Sequence, residues 1–255
     1  MGLLNINVAR YFLKLSYLGT HYSGWQKQLN SNSVQSEIEN VLSLQLRTKI
    51  EITGAGRTDA GVHATESFAH FDVEKPIDNK RNFLHRVNRH LSRDICIHDV
   101  LDVKANAHAR FDAFSRSYIY RICTTKNPFK TGRVMFCEKM AFLPMQEVCK
   151  IILANEDFTS FCSTATGTDN MICKVTRAEW VESGDELLFH ISSNRFVMNM
   201  VRSLVGTMIE TGQGKKPPSE IQAIFDAKDR RKAGFNAAPE GLYLSKVEYP
   251  PEIFL

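Results

Sequence analysis

The chain has 255 residues, with 32 Lys and Arg against 28 Asp and Glu, 43% hydrophobic and 24% charged residues, and six cysteines. Those fractions exclude collagen-like, disordered and coiled-coil compositions and leave room for one large domain or two of about 100–150 residues. A formal charge of +4 permits a polyanionic partner without announcing one.

In Arg10-Tyr11-Phe12-Leu13-Lys14-Leu15-Ser16-Tyr17 the odd positions are apolar and the even ones include Lys14 and Ser16. This alternation predicts a strand with one packed and one wet face. Ser33 is placed to cap a helix in which Val34, Ile38, Val41, Leu42 and Leu46 recur at helical spacing, with Glu37 and Glu39 near the favourable end of its dipole. Residues 49–53 alternate as a strand, a glycine-rich loop spans 54–61, and 67–73 reads as a further strand. Asp78 is expected to cap a helix carrying Phe83, Leu84, Val87 and Leu91, and 95–103 closes with a strand. The order β-α-β-β-α-β is the ferredoxin-like split unit. It repeats loosely as strands at 114–124 and near 134–142, a helix after Pro144, strands at 172–182 and 186–193, a helix at 196–210 and a last strand near 242–249. The fold class expected is α+β: two ferredoxin-like or RRM-like halves, 1–104 and 105–255, around an extended mixed, mostly antiparallel sheet with a central cleft.

The cysteines never come closer than eleven positions and form no C-x-x-C pair, and the eight histidines show no H-x-x-x-H or H-E-x-x-H spacing, so no metal site is expected. No stretch approaches the ~18 uninterrupted apolar residues of a membrane span. The start MGLLNINVAR lacks a basic segment followed by an apolar run, so a cytoplasmic protein is expected.

Chemistry is densest in Gly54-Ala55-Gly56-Arg57-Thr58-Asp59-Ala60-Gly61-Val62-His63. Three glycines in eight residues allow positive φ and close approach of another backbone, the means by which a loop is shaped around a ligand. It is neither a GxGxxG nor a P-loop pattern. A tight structural turn with Asp59 bonded to its own backbone is the alternative. Arg202 lies at the edge of a helical stripe formed by Met198, Val201, Val205, Met208 and Ile209. There it either snorkels to water or pairs with a carboxylate, for which Asp59 is the candidate. In the run Arg110–Arg121, Tyr118 and Tyr120 share one face of a strand, and one of them could stack on a base. Lys80, Arg81, Arg86, Arg89 and Arg93 decorate the second helix and suit an RNA phosphate backbone, unless they are simply a solvated face.

Taken in order, these pieces resemble one family over nearly the whole chain. They are Tyr17-Leu18-Gly19, Tyr22-Ser23-Gly24-Trp25-Gln26-Lys27-Gln28, Ser33-Val34-Gln35, the Gly56–Ala64 loop, His108-Ala109-Arg110-Phe111, Arg116–Tyr120, Asp157–Phe161, Met200–Thr207 and Ala238–Leu244. The resemblance is to the TruA family of tRNA pseudouridine synthases. It implies an isomerase without metal or cofactor that acts on uridines 38, 39 and 40 of the tRNA anticodon stem-loop, working as a homodimer. It also implies roles: Asp59 as nucleophile, Tyr118 against the target uracil, Arg202 paired with the catalytic carboxylate, and Arg57 filling the space of the flipped nucleotide. Two stretches depart from the family pattern, Ser92 where proline is common and the divergent segment 126–139. A non-catalytic RNA-binding module is the competing reading, and it has no need of the Asp59 and Arg202 pair.

Overall fold

A computed structural model describes residues 8–163 and 170–255. The chain divides into two compact units, one comprising residues up to Phe114 together with Leu244–Leu255, the other Ser115–Tyr243.

The first unit contains β1 (Ala9–Tyr17), α1 (Val34–Leu46), β2 (Thr53–Gly54), β3 (His63–Val73), α2 (Lys80–His90) and β4 (Ile95–Asp102). β1 runs antiparallel between β4 and β3, from Ala9 opposite Val73 to Tyr17 opposite Ala64, and β2 adds to β3. The resulting order β4-β1-β3-β2 is that of the split unit expected from the sequence. Ser33 caps α1 as expected, accepting from Ser36 N–H while Ser36 Oγ accepts from Ser33 N–H.

The second unit contains β5 (Ser115–Cys123), β6 (Met135–Phe136), α3 (Phe142–Ala154), β7 (Val175–Ser183), β8 (Glu186–Ser193), α4 (Met200–Gly212) and α5 (Ile221–Ala227), and it enters β9 (Leu242–Glu248). Its order β5-β8-β7 repeats the β1-β3-β2 arrangement. β6 pairs with β5 in parallel, so the fold class is the expected one, α+β with a mixed, mostly antiparallel sheet.

Several expectations are corrected. The strand over 49–53 shrinks to Thr53–Gly54, because Ile50 N–H donates to Ser43 Oγ, and Ile52 donates its N–H to Glu39 Oε1 and accepts from Gln35 Nε2 at its carbonyl rather than pairing with β3. The strand near 134–142 is likewise two residues long. Asn79, not Asp78, caps α2, accepting from Asn82 N–H at 2.9 Å. Pro144 lies inside the first turn of α3, where its missing N–H has no helical acceptor to lose. α4 begins at Met200 rather than 196, since Asn199 takes a left-handed φ of 63°. The even face of β1 is not wholly wet, because Phe12 is fully buried against Tyr249 and Phe254. Glu39 is no exposed dipole partner: it is buried and binds Lys27 Nζ, Gln35 Nε2 and Ile52 N–H.

Candidate active site

The loop between β2 and β3 is pinned along its backbone while one carboxylate stays partly open. Ala55 N–H donates to Phe68 O at 2.7 Å, the Thr58 carbonyl accepts from Trp25 N–H at 3.1 Å, and Val62 N–H closes on Asp59 O at 3.1 Å. Thr58 is buried, its hydroxyl bonded to that of Tyr17 at 2.8 Å. His63, fully buried, accepts Gly19 N–H through Nδ1 at 2.9 Å. Asp59 is half-buried and Arg57 exposed. A carboxylate on a loop held at this many backbone points keeps a fixed position without rearrangement, which is what a nucleophile requires.

The expected glycine freedom is realised unequally. Gly61 takes φ 79° and Gly54 stands against the Trp25 indole, whereas a Cβ on Gly56 would meet nothing within 4 Å. Two glycines outside the loop support it closely: a Cβ on Gly19 would lie 2.0 Å from the Val62 carbonyl oxygen, and Gly24, with φ 95°, would place one 2.6 Å from the Thr58 carbonyl oxygen.

Segment 17–26 thus buttresses the loop, a role that no local periodicity reveals. Val34 N–H donates to Gly24 O and Gln35 N–H to Trp25 O, which ties the segment to the first turn of α1. Tyr22 OH donates to Glu37 Oε2 and shares a hydrogen bond with Ser92 Oγ, both at 2.7 Å. Burial, reinforced by Glu37, pushes the Tyr22 hydroxyl up to about 12. Ser92 N–H also donates to Glu37 Oε1, a bond that proline could not make. The departure at Ser92 therefore serves the packing of this segment.

The other candidate residues fall in two places. Arg57 belongs with Asp59 to the first unit; Tyr118 and Arg202 belong to the second. Tyr118 is half-buried on β5 opposite Ile191, its ring edge-on to Phe196 at 5.0 Å, whereas Tyr120 on the same strand face is fully buried and donates to Ala238 O at 2.6 Å. Of the pair, only Tyr118 keeps a partly accessible ring. Arg202, in the first turn of α4, donates from Nε to Ala237 O at 2.7 Å and from Nη1 to Asn199 Oδ1 at 3.4 Å. Its helix is buried nearly all round, so Arg202 interrupts a buried cylinder rather than edging a stripe. On α2, Lys80 pairs with Asp102 and lies over the Tyr11 ring, while Arg81, Arg86 and Arg89 are exposed. No helix is long and apolar enough to cross a membrane among the described residues.

Comparison with known proteins shows the family. A family model described as tRNA pseudouridine synthase matches residues 15–112 and 150–250. Proteins named tRNA pseudouridine synthase A from Parabacteroides distasonis and Bacteroides fragilis are 42% and 43% identical over 246 and 252 residues, covering 96% and 98% of this chain and 98% and 100% of theirs. One of the same name from Porphyromonas gingivalis is 41% identical over 254 residues, covering 97% of this chain and all of its own. With its Gly-Arg-Thr-Asp loop inside the first matched segment, the chain belongs to the tRNA pseudouridine synthase family.

Proposed function

We propose that the protein converts uridines 38, 39 and 40 of the tRNA anticodon stem-loop to pseudouridine, with Asp59 as the nucleophile. The supporting observation is the half-open Asp59 on its pinned loop, within a family match that spans most of the chain. The reaction breaks the C1′–N1 bond, turns the uracil and rejoins it through C5, with no net redox change and no external group. One ionised carboxylate suffices as covalent catalyst, whether it adds to C6 of the base or to C1′ of the sugar. The target atoms are stacked inside a stem, so the base must first flip out.

In this reading Arg57 takes the place of the flipped nucleotide, Tyr118 receives the uracil, and Arg202 pairs with the catalytic carboxylate. Arg81, Arg86 and Arg89, with Lys80, hold the phosphate backbone. The enzyme works as a cytoplasmic homodimer. Unmodified tRNA transcripts incubated with the protein are expected to gain pseudouridine at 38–40, read by chemical mapping. Asp59→Asn is expected to lower the rate at least about 1,000-fold without a change in melting temperature. Near-normal conversion by that variant removes Asp59 from the role.

A further inference from the structure

A cavity of about 210 Å³ opens beside the Asp59 loop, lined in part by Trp25, Gln26, Gln35, Ile52, Arg57 and Arg110, with no carboxylate in its wall. Its hydrogen-bond state follows from backbone groups whose roles are fixed. Lys27 N–H donates to Gln35 Oε1 at 3.0 Å, and Gln35 Nε2 donates to Ile52 O and to Glu39 Oε1, both at 3.0 Å. Since an N–H can only donate and a carbonyl only accept, the Gln35 amide has one possible orientation. Gln35 Oε1 therefore needs a donor from Gln26, which supplies Nε2 at 3.0 Å. The Gln26 amide is thereby oriented as well, and its Oε1 has no hydrogen-bond donor among the described residues. The wall thus presents one oriented acceptor and two guanidinium groups.

The aromatic in the wall offers no stacking face. Trp25 is 2% exposed and its ring packs against Gly54, so a base inserted here would gain little of the stacking that usually holds one. Guanidinium groups match a phosphate, and a lone acceptor matches a hydroxyl donor. At about 210 Å³ the space is smaller than the ~300–1,000 Å³ of whole-ligand pockets and suits part of a nucleotide.

We propose that this cavity is a ribose-phosphate subsite for a nucleotide flanking the target uridine, with the 2′-hydroxyl donating to Gln26 Oε1 and the phosphate held by Arg110. The proposal rests on the tRNA reading above and adds a second point at which the enzyme grips the strand. It also gives the enzyme a means of distinguishing RNA from DNA, since the contact uses the group that only RNA carries.

The test combines the two partners. Synthetic anticodon arms carrying a single 2′-deoxy residue at each nucleotide flanking the target are assayed with wild type and with Gln26→Ala. In wild type, one flanking position is expected to raise KM about three- to ten-fold, the range of one hydrogen bond, with kcat little changed. In Gln26→Ala the all-ribose arm shows a comparable rise, and the deoxy substitution adds nothing further. Arg110→Gln is expected to lower the slope of log affinity against log salt by about one. An undiminished deoxy effect in Gln26→Ala, or no KM effect at any flanking position in wild type, overturns the subsite. Failure of wild type to convert any arm or full tRNA overturns the tRNA reading instead.

Discussion

The loop carrying Asp59 and the helix α2 lie in the same unit and are built on opposite plans. The loop is held by hydrogen bonds from Tyr17, Trp25 and β3, with Thr58 and His63 buried beneath it. α2 anchors through Phe83 and Val87 and leaves Arg81, Arg86 and Arg89 exposed. A reacting group must stand within a fraction of an ångström of its target, so rigidity is worth its entropic cost. Phosphate attraction acts over the roughly 8 Å Debye length of physiological salt, and mobile side chains serve it well. Disturbance of the loop should therefore lower kcat, and disturbance of α2 should raise KM.

Among changes to the loop's support rather than to Asp59 itself, a large effect should follow Gly24→Ala. A left-handed backbone combined with a Cβ 2.6 Å from Thr58 O is expected to destabilise the protein by about 1–3 kcal/mol and to lower kcat more than it raises KM. An unchanged kcat would break the contrast between the two regions.

Acid offers a second handle on the same unit. His70, on β3, is lowered to about 4, chiefly by burial and further by Arg10 and His108, so the fold favours its neutral ring. Its contribution is complete above the unfolded value near 6.5 and is lost as pH falls from 6.5 towards 4, because the unfolded chain takes up the proton first. The loss over that whole range is on the order of 3 kcal/mol, read as a denaturant midpoint against pH. His70→Asn should abolish the part of that slope between pH 6.5 and 5.

Tyr17→Phe removes the hydroxyl on Thr58 and should cost about 1 kcal/mol, again with kcat falling ahead of KM. The smallest effects belong to Arg81→Ala, Arg86→Ala and Arg89→Ala. Each is expected to raise KM about two- to four-fold, flatten the salt dependence by about one and leave melting temperature within about 1 °C. A kcat loss at any of them would show that α2 positions rather than attracts.

Local chemistry explains what the sequence made legible. Alternation in 10–17, the Ser33 cap and the apolar spacing of α1 each act within a few residues, and each has its structural counterpart. The missed features depend on distant partners or on single backbone angles. The start of α4 is set by the left-handed Asn199. α5 has no counterpart among the elements expected from the sequence, although Ile221, Ile224 and Phe225 are buried at i, i+3 and i+4, a spacing that follows Pro217 and Pro218 and signals a short helix. At the site, Arg57 and Asp59 stood out in their own loop, but their support from Tyr17, Gly24 and Trp25 comes from more than thirty positions away. Gln26, too, looked like one motif residue among many. Its significance emerges only once Gln35 is oriented by Lys27 and Ile52.

Residues 244–255 lie beyond the whole second unit in the chain yet complete the first. Tyr249 and Phe254 cover Phe12, Tyr249 OH donates to Ala109 O, and Lys104 N–H donates to Ile253 O. During synthesis, which proceeds from the N-terminus, Ser115–Tyr243 is therefore available in full while the earlier unit still lacks its last segment. The unit that carries Asp59 begins first and finishes last, so a ribosome that stalls before residue 244 leaves the Phe12 face uncovered and prone to association.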